Sequence, residues 1–310
     1  MTPKNLIEKY KDKLSETFQH YPVMSTAAIV AFVALLVFLL TPHNSPQTEV
    51  AKVDDDVQVA DTLALNIICM PTLESLPLYH AAESGICDSL NLALGIKTEM
   101  AQFDVDSIMR RTQRVDGAVF DVNRLKHYRD THKALPVTES IRLDGGWQLV
   151  TAAPLRIREA KQLKKRIVAT ARYATSSSLL SNILRGAGIN YSDAYHAQIN
   201  NLSLRTSMLD DAQIDASVLP EPYATLAVSR GHRSIWRCDS VSTLVLCFRN
   251  QVLKDKRKQK QIETLRQAYN LAVKDLNAHG THAADSALIK DYQLPQTVID
   301  TLRLPKYRTL

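Results

Sequence analysis

Residues 209–227 read LDDAQIDASVLPEPYATLA. A polar helix end gives way to Ile214 to Leu219, a run with a strand-like apolar core. The run stops at Pro220-Glu221-Pro222, and a helical pattern begins at Tyr223. Proline fixes φ and has no amide hydrogen to give to a sheet, so the pair ends the strand and holds Glu221 at its carboxyl end. In open α/β sheets that edge is where ligands bind. The plain alternative is a Pro-bounded β–α turn with an exposed glutamate.

Working outward, strand and helix patterns alternate from Thr62. Leu63 to Met70 is an apolar run broken at Pro71, Leu76 to Ile86 has helical spacing, and Ile96 to Phe103 alternates. Asp104 and Asp106 can cap a helix through Arg114, and Gly117 to Val122 reads as a buried strand. Val137 to Leu143 and Gln148 to Ala152 predict two strands around a turn at Asp144-Gly145-Gly146. The rhythm then restarts with a strand at Arg166 to Ala171, a helix from Thr175 to Arg185 and a strand at Ala194 to Ile199. Arg233 to Arg237 and Thr243 to Phe248 follow as strands, Val252 to Ala278 as a long helix, and Pro295 to Leu302 as a short one. This order predicts an α/β fold with a mainly parallel sheet covered on both faces. It reads as two similar lobes, with lobe 1 at 62–150 plus 245–310 and lobe 2 at 151–244.

The composition is that of a globular protein: 310 residues, 45% apolar, 23% charged, net charge +6. The basic clusters at Arg156 to Arg166 and Lys254 to Lys260 fall where helices are expected and read as solvated faces. With no zinc-finger spacing and no basic run interleaved with aromatics, nucleic acid is not an expected partner. Val23 to Thr41 carries no charge and is about as long as a membrane helix needs to be. Lys4, Lys9, Lys11 and Lys13 precede it, and Asp54 to Asp56 follow. The basic side predicts a cytoplasmic segment at 1–22, an anchor at 23–41, a linker at 42–61 and a domain outside the cytoplasmic membrane. A cleaved signal peptide is the competing reading; no A-x-A site follows the apolar run.

Cys69, Cys87, Cys238 and Cys247 would sit in an oxidising compartment, where Cys238 and Cys247 could staple the stretch between them or stay free. None has metal-site spacing, and His279-Gly-Thr-His282 reads as a solvated turn, so no metal or cofactor is expected. No G-x-S-x-G elbow is present, which argues against a serine hydrolase.

Ala174-Thr175-Ser176-Ser177-Ser178 joins a strand to a helix start, where free backbone N–H groups and hydroxyls favour an anion or polar acceptor. Simple capping by one serine is the alternative. Leu163-Lys164-Lys165-Arg166, Thr175 to Ser178, Ala187-Gly188-Ile189, and Gln213-Ile214-Asp215-Ala216 followed by Glu221-Pro222 come in a fixed order. In that order they resemble the second lobe of periplasmic solute-binding proteins that serve nitrate, sulfonate and thiamine-precursor ABC transporters. Leu73 to Gly85 and Val115-Asp116-Gly117-Ala118 resemble the first lobe. The resemblance covers about residues 62–278. The usual glycine of the lysine-rich turn is absent, as is the one before the serine turn, where Tyr173-Ala174 stand.

The resemblance implies a type II binding-protein fold with strands near 150 and 245 as hinge, and a ligand between the lobes that favours closure. Its ligand turns map to Thr72, Leu73, Glu74 and Ser75, to Asp121, to Ser176, Ser177 and Ser178, and to Glu221. Trp147 could stack on a ligand or anchor the core. Two carboxylates, Asp121 and Glu221, would favour a cationic or donor-rich solute. The implied role is a membrane-anchored, non-enzymatic protein that hands a small polar solute to an ABC permease. The alternatives are a sensor or assembly subunit on the same lobes, or an enzyme of the thiamine-precursor type.

Overall fold

The computed structural model describes residues 63–310. The expected cytoplasmic segment, membrane helix and linker lie outside those residues. Among the described residues no helix is long and apolar enough to cross a membrane.

The first half of the domain runs β1 (Leu65–Cys69), α1 (Leu76–Glu83), α2 (Ile86–Ser89), β2 (Leu94–Thr98), α3 (Gln102–Arg111), β3 (Gly117–Asp121), α4 (Val122–Asp130) and β4 (Val137–Thr151). The second runs β5 (Ile167–Thr170), α5 (Thr175–Gly186), β6 (Tyr195–Gln198), α6 (Leu202–Asp210), β7 (Ala216–Pro220), α7 (Tyr223–Ser229) and β8 (Arg233–Arg249). The chain closes with α8 (Lys256–His279), α9 (Asp285–Lys290) and α10 (Gln296–Ile299). The α/β expectation is borne out. So is the opening segment, whose strand ends at Pro220 and whose helix begins at Tyr223.

One eight-stranded sheet carries everything, in the order β2-β1-β3-β8-β4-β7-β5-β6. Its outer thirds are parallel, while β3–β8, β8–β4 and β4–β7 pair antiparallel, so the centre departs from the mainly parallel expectation. The reason is that β4 and β8 are each one long strand where the sequence predicted two pieces. Gly145 and Gly146 do not make a turn. A Cβ on Gly145 would lie 2.3 Å from the Glu74 side chain, and one on Gly146 would lie 3.3 Å from Glu221. The glycines admit neighbouring side chains against an extended strand. Four register shifts between β4 and β8 bend the pair along its length.

Burial follows the sequence pattern. β3 and β7 are buried at every residue, as two-sided strands require. On α8 the buried residues Leu265, Ala268, Tyr269, Ala272, Val273 and Leu276 repeat at helical spacing and pack on α1 and the first half of the sheet. A second apolar cluster covers Trp147, Leu149, Leu163, Val168 and Leu180 in the second half. The third joins the halves: Ile68, Met70, Val105 and Phe120 share it with Leu202, Leu209, Leu219 and Tyr223. Each fully buried large aliphatic side chain contributes about 1.5–3 kcal/mol, so this shared cluster holds the halves together.

All four cysteines are free, and Cys69, Cys87 and Cys247 are buried. The possible Cys238–Cys247 staple is excluded by geometry. Both lie on β8, and nine residues of extended chain separate them by about 30 Å, far beyond disulfide reach.

Candidate functional site

The strand register decides where a site can form. Asp121, at the carboxyl end of β3, pairs with Leu244, and Leu244 pairs with Leu143 of β4. Pro220, at the carboxyl end of β7, pairs with Trp147 of the same strand. The two halves therefore point their carboxyl ends at each other across the middle of β4. That arrangement gathers β–α turns distant in sequence, at the kind of edge where α/β sheets bind ligands.

A small, partly open cavity lies there, lined by Met70, Thr72, Gln102, Asp121, Trp147, Ala171, Ala174, Ser176, Asn200, Leu202, Arg205, Pro220 and Leu244. Its volume is about 30 Å³, room for roughly two water molecules. Three buried polar atoms on this wall have no hydrogen-bond partner: Thr72 Oγ1, Gln102 Oε1 and Arg205 Nε. Leaving such a group unsatisfied costs about 1–3 kcal/mol, so each is a place where an added group would be favoured. Arg205 is 2% exposed and donates to Val218 C=O at 2.7 Å. Burial lowers its pKa to about 10, which leaves it cationic at neutral pH. Gln102 spends its amide hydrogens on Val119 C=O at 3.3 Å and on Asp106 at 3.5 Å. Trp147 donates its indole N–H to Thr243 at 3.2 Å and offers the cavity only its ring.

Asp121 is the best-connected residue of the wall. Its Oδ1 accepts from the backbone N–H of Asn123 at 2.9 Å and of Arg124 at 3.3 Å, capping α4. Its Oδ2 accepts from Thr175 N–H at 2.7 Å, at the first turn of α5 in the other half. Burial pushes its carboxyl up to about 6 against the pull of those donors. Other bonds cross beside it. Asn123 Nδ2 donates to Thr175 Oγ1 at 3.0 Å, Arg124 donates to Arg172 C=O at 2.6 Å, and His127 stacks on Tyr173 with ring centres 3.7 Å apart. Arg124 also pairs with Asp106, both buried, and Tyr128 donates to Asp106 at 2.6 Å. On the far side Leu202 N–H donates to Met100 C=O at 3.1 Å, and Ala101 bridges Asn201.

The residues singled out from sequence divide into three groups. Thr72, Asp121 and Ser176 line the cavity, although Ser176 Oγ accepts from Ala171 N–H at 2.9 Å and so serves its own turn. Leu73 and Glu221 are joined by a 2.9 Å bond from Leu73 N–H to Glu221 C=O, and line a separate open recess of about 360 Å³ with Arg237, Asp239, Arg303 and Pro305. Glu221 is the cap of α7: it accepts from Thr225 N–H at 3.1 Å, from Thr225 Oγ1 at 2.8 Å, and from Gln148. Glu74 and Ser75 are wholly buried, Ser177 hydrogen-bonds Ala171 C=O at 2.6 Å, and Ser178 is exposed on α5. The sequence reading missed Gln102, Asn200 and Arg205. Arg205 left one signal, since it falls on the helical face of Leu202 and Leu209, where a solvated arginine is out of place.

A larger open groove of about 710 Å³ runs between α7 and α10. Two arginines on it are already matched, Arg230 to Asp210 at 2.6 Å and Arg237 to Asp239. Size favours the groove; the buried unpartnered polar atoms favour the cavity.

No protein-family model matches this chain, and no curated protein does. Solved structures do match. The nitrate-binding protein NrtA from Synechocystis PCC 6803 superposes with a TM-score of 0.66 at 15% identity, covering 80% of this chain and 73% of that one. The ligand-binding component of an ABC-type import system from Staphylococcus aureus gives 0.64 at 13% identity, covering 77% and 82%. The periplasmic aliphatic sulphonate-binding protein SsuA from Escherichia coli gives 0.60 at 15% identity, covering 77% and 81%. At these identities the likeness shows the fold: this domain has the α/β fold of periplasmic binding proteins.

Proposed function

We propose that this chain binds a small polar solute in the cavity between its two lobes and delivers it to an ABC permease from outside the cytoplasmic membrane. Residues 23–41 would be the tether, and the lobes, 62–150 plus 245–310 and 151–244, would move as bodies about β4 and β8. The reading is carried by one observation: Gln102 and Arg205, each with a buried polar atom that lacks a hydrogen-bond partner, line with Thr72 a cavity at the facing carboxyl ends of the two half-sheets. A solute with an acceptor for Arg205 Nε and a donor for Gln102 Oε1 would satisfy them. Ligand contacts are assigned to Thr72, Gln102, Asp121, Trp147, Asn200 and Arg205. Holding the domain near its permease would raise its effective concentration there.

A second reading is favoured by the cavity's size. About 30 Å³ suits a sensor or assembly subunit that uses the joined lobes as an interaction surface. Thermal-shift screening of the full chain against thiamine precursors, sulfonates, nitrate and amines, with calorimetry on the hits, separates the two. Solute binding that R205M weakens at least tenfold without unfolding supports the first. Silence from every class supports the second.

A further inference from the structure

The amino termini of two helices meet at Asp121, beside the cavity. Asp121 lies between them, accepting from Asn123 and Arg124 at the start of α4 and from Thr175 at the start of α5. Each helix start carries about half a positive charge and unspent N–H groups, so their juxtaposition requires an anion. The first turn of α5 has no cap of its own: Ala174 supplies no side-chain acceptor, and Ser176 and Ser177 are turned to the preceding loop. Arg205, buried with its Nε unpartnered, adds a cation to the same wall. A helix start beside a buried arginine is an anion seat, and a side chain of the opposite lobe fills it.

We infer that the Asp121 carboxylate is a tethered anion that occupies the α5 amino terminus and thereby bars solutes that would bring a negative charge to that end of the cavity. The inference deepens the proposed function and rests on it for the word solute; the seat and its occupant stand apart from it. What remains for a solute is the lining of Thr72 and Gln102 with the Nε of Arg205, which suits a small neutral or zwitterionic molecule. Asp121 also bonds the lobes directly, so the proposed opening breaks the Asp121–Thr175 contact and closing restores it.

The test is to empty the seat while sparing α4. Serine still caps a helix but is too short to reach Thr175, so D121S keeps the α4 cap and frees the α5 start. The full chain in detergent, as wild type, D121S and D121A, is titrated calorimetrically with sodium nitrate and sodium methanesulfonate, with folding checked by circular dichroism and melting. The expected result is no binding by wild type up to about 10 mM and a Kd at least tenfold lower in whichever variants fold. The inference is overturned if wild type binds either anion in the low-millimolar range or tighter, or if a folded variant gains nothing. Neither outcome depends on a native solute. Gained anion binding with no solute found would refute the transport reading alone, and a solute found without the gain would refute this inference alone.

Discussion

Replacing Glu74 by glutamine should stabilise the domain, and only at neutral and alkaline pH. Glu74 is wholly buried; the Thr72 and Thr243 hydroxyls lie beside its carboxyl, Thr243 at a long 3.4 Å, and no cation among the described residues pairs with it. Burial pushes its carboxyl from 4.5 up to about 7, with the nearby Glu221 charge adding to the effect. The unfolded chain ionises this group above about pH 4.5, whereas the folded chain keeps the proton until about pH 7. Stability contributed by the neutral form is thus complete below 4.5, declines between the two values, and is gone above the higher one. At about 1.4 kcal/mol per pH unit across that interval, the loss is about 3 kcal/mol. E74Q keeps the shape and removes the ionisation. Melting wild type and E74Q side by side should show equal midpoints near pH 4.5 and a gain at pH 8.5. For a domain of this size the gain should be roughly 6–12 °C. The carboxylates common to both proteins cancel in the difference. A midpoint difference that does not change with pH, or an E74Q that is less stable at pH 8.5, would refute the reasoning.

R124A should strip the buried Asp106 of its arginine, leaving the Tyr128 and Gln102 donors, at about 3–5 kcal/mol, read as a lower urea midpoint at unchanged slope. E221Q weakens the α7 cap and should cost about 1 kcal/mol. Because Glu221 lies outside the cavity, E221Q should leave affinity for any solute within twofold by calorimetry. Y307F removes the 2.8 Å hydrogen bond to Leu73 C=O, which keeps Leu76 N–H as its other donor, so its melting point should fall by an amount matching about 0.5–1.5 kcal/mol.

Much of this was legible locally. The Pro220–Pro222 turn, the helix start at Thr175 and the strand ending at Asp121 were written in residue pattern because each depends on neighbours in sequence. What sequence did not disclose depends on distant pairing. Gly145-Gly146 reads as a turn in isolation, and only the approach of Glu74 and Glu221 shows why two glycines lie in a continuous strand. The partner of Asp121 is Thr175, in the other half of the domain, so a carboxylate expected to face a solute is engaged by a backbone amide instead. Glu221 likewise went to its own helix. Arg205 showed only as an arginine on the apolar face of Leu202 and Leu209, because the Val218 C=O it meets lies on another element.

Hydrogen exchange of the full chain, with and without the strongest compound from the solute screen, tests the central claim most directly. Slower exchange is expected at residues 70–73, 171–177 and 200–206, the backbone around the cavity. Protection confined to the recess of Arg237 and Arg303, with those three segments unchanged, would contradict it.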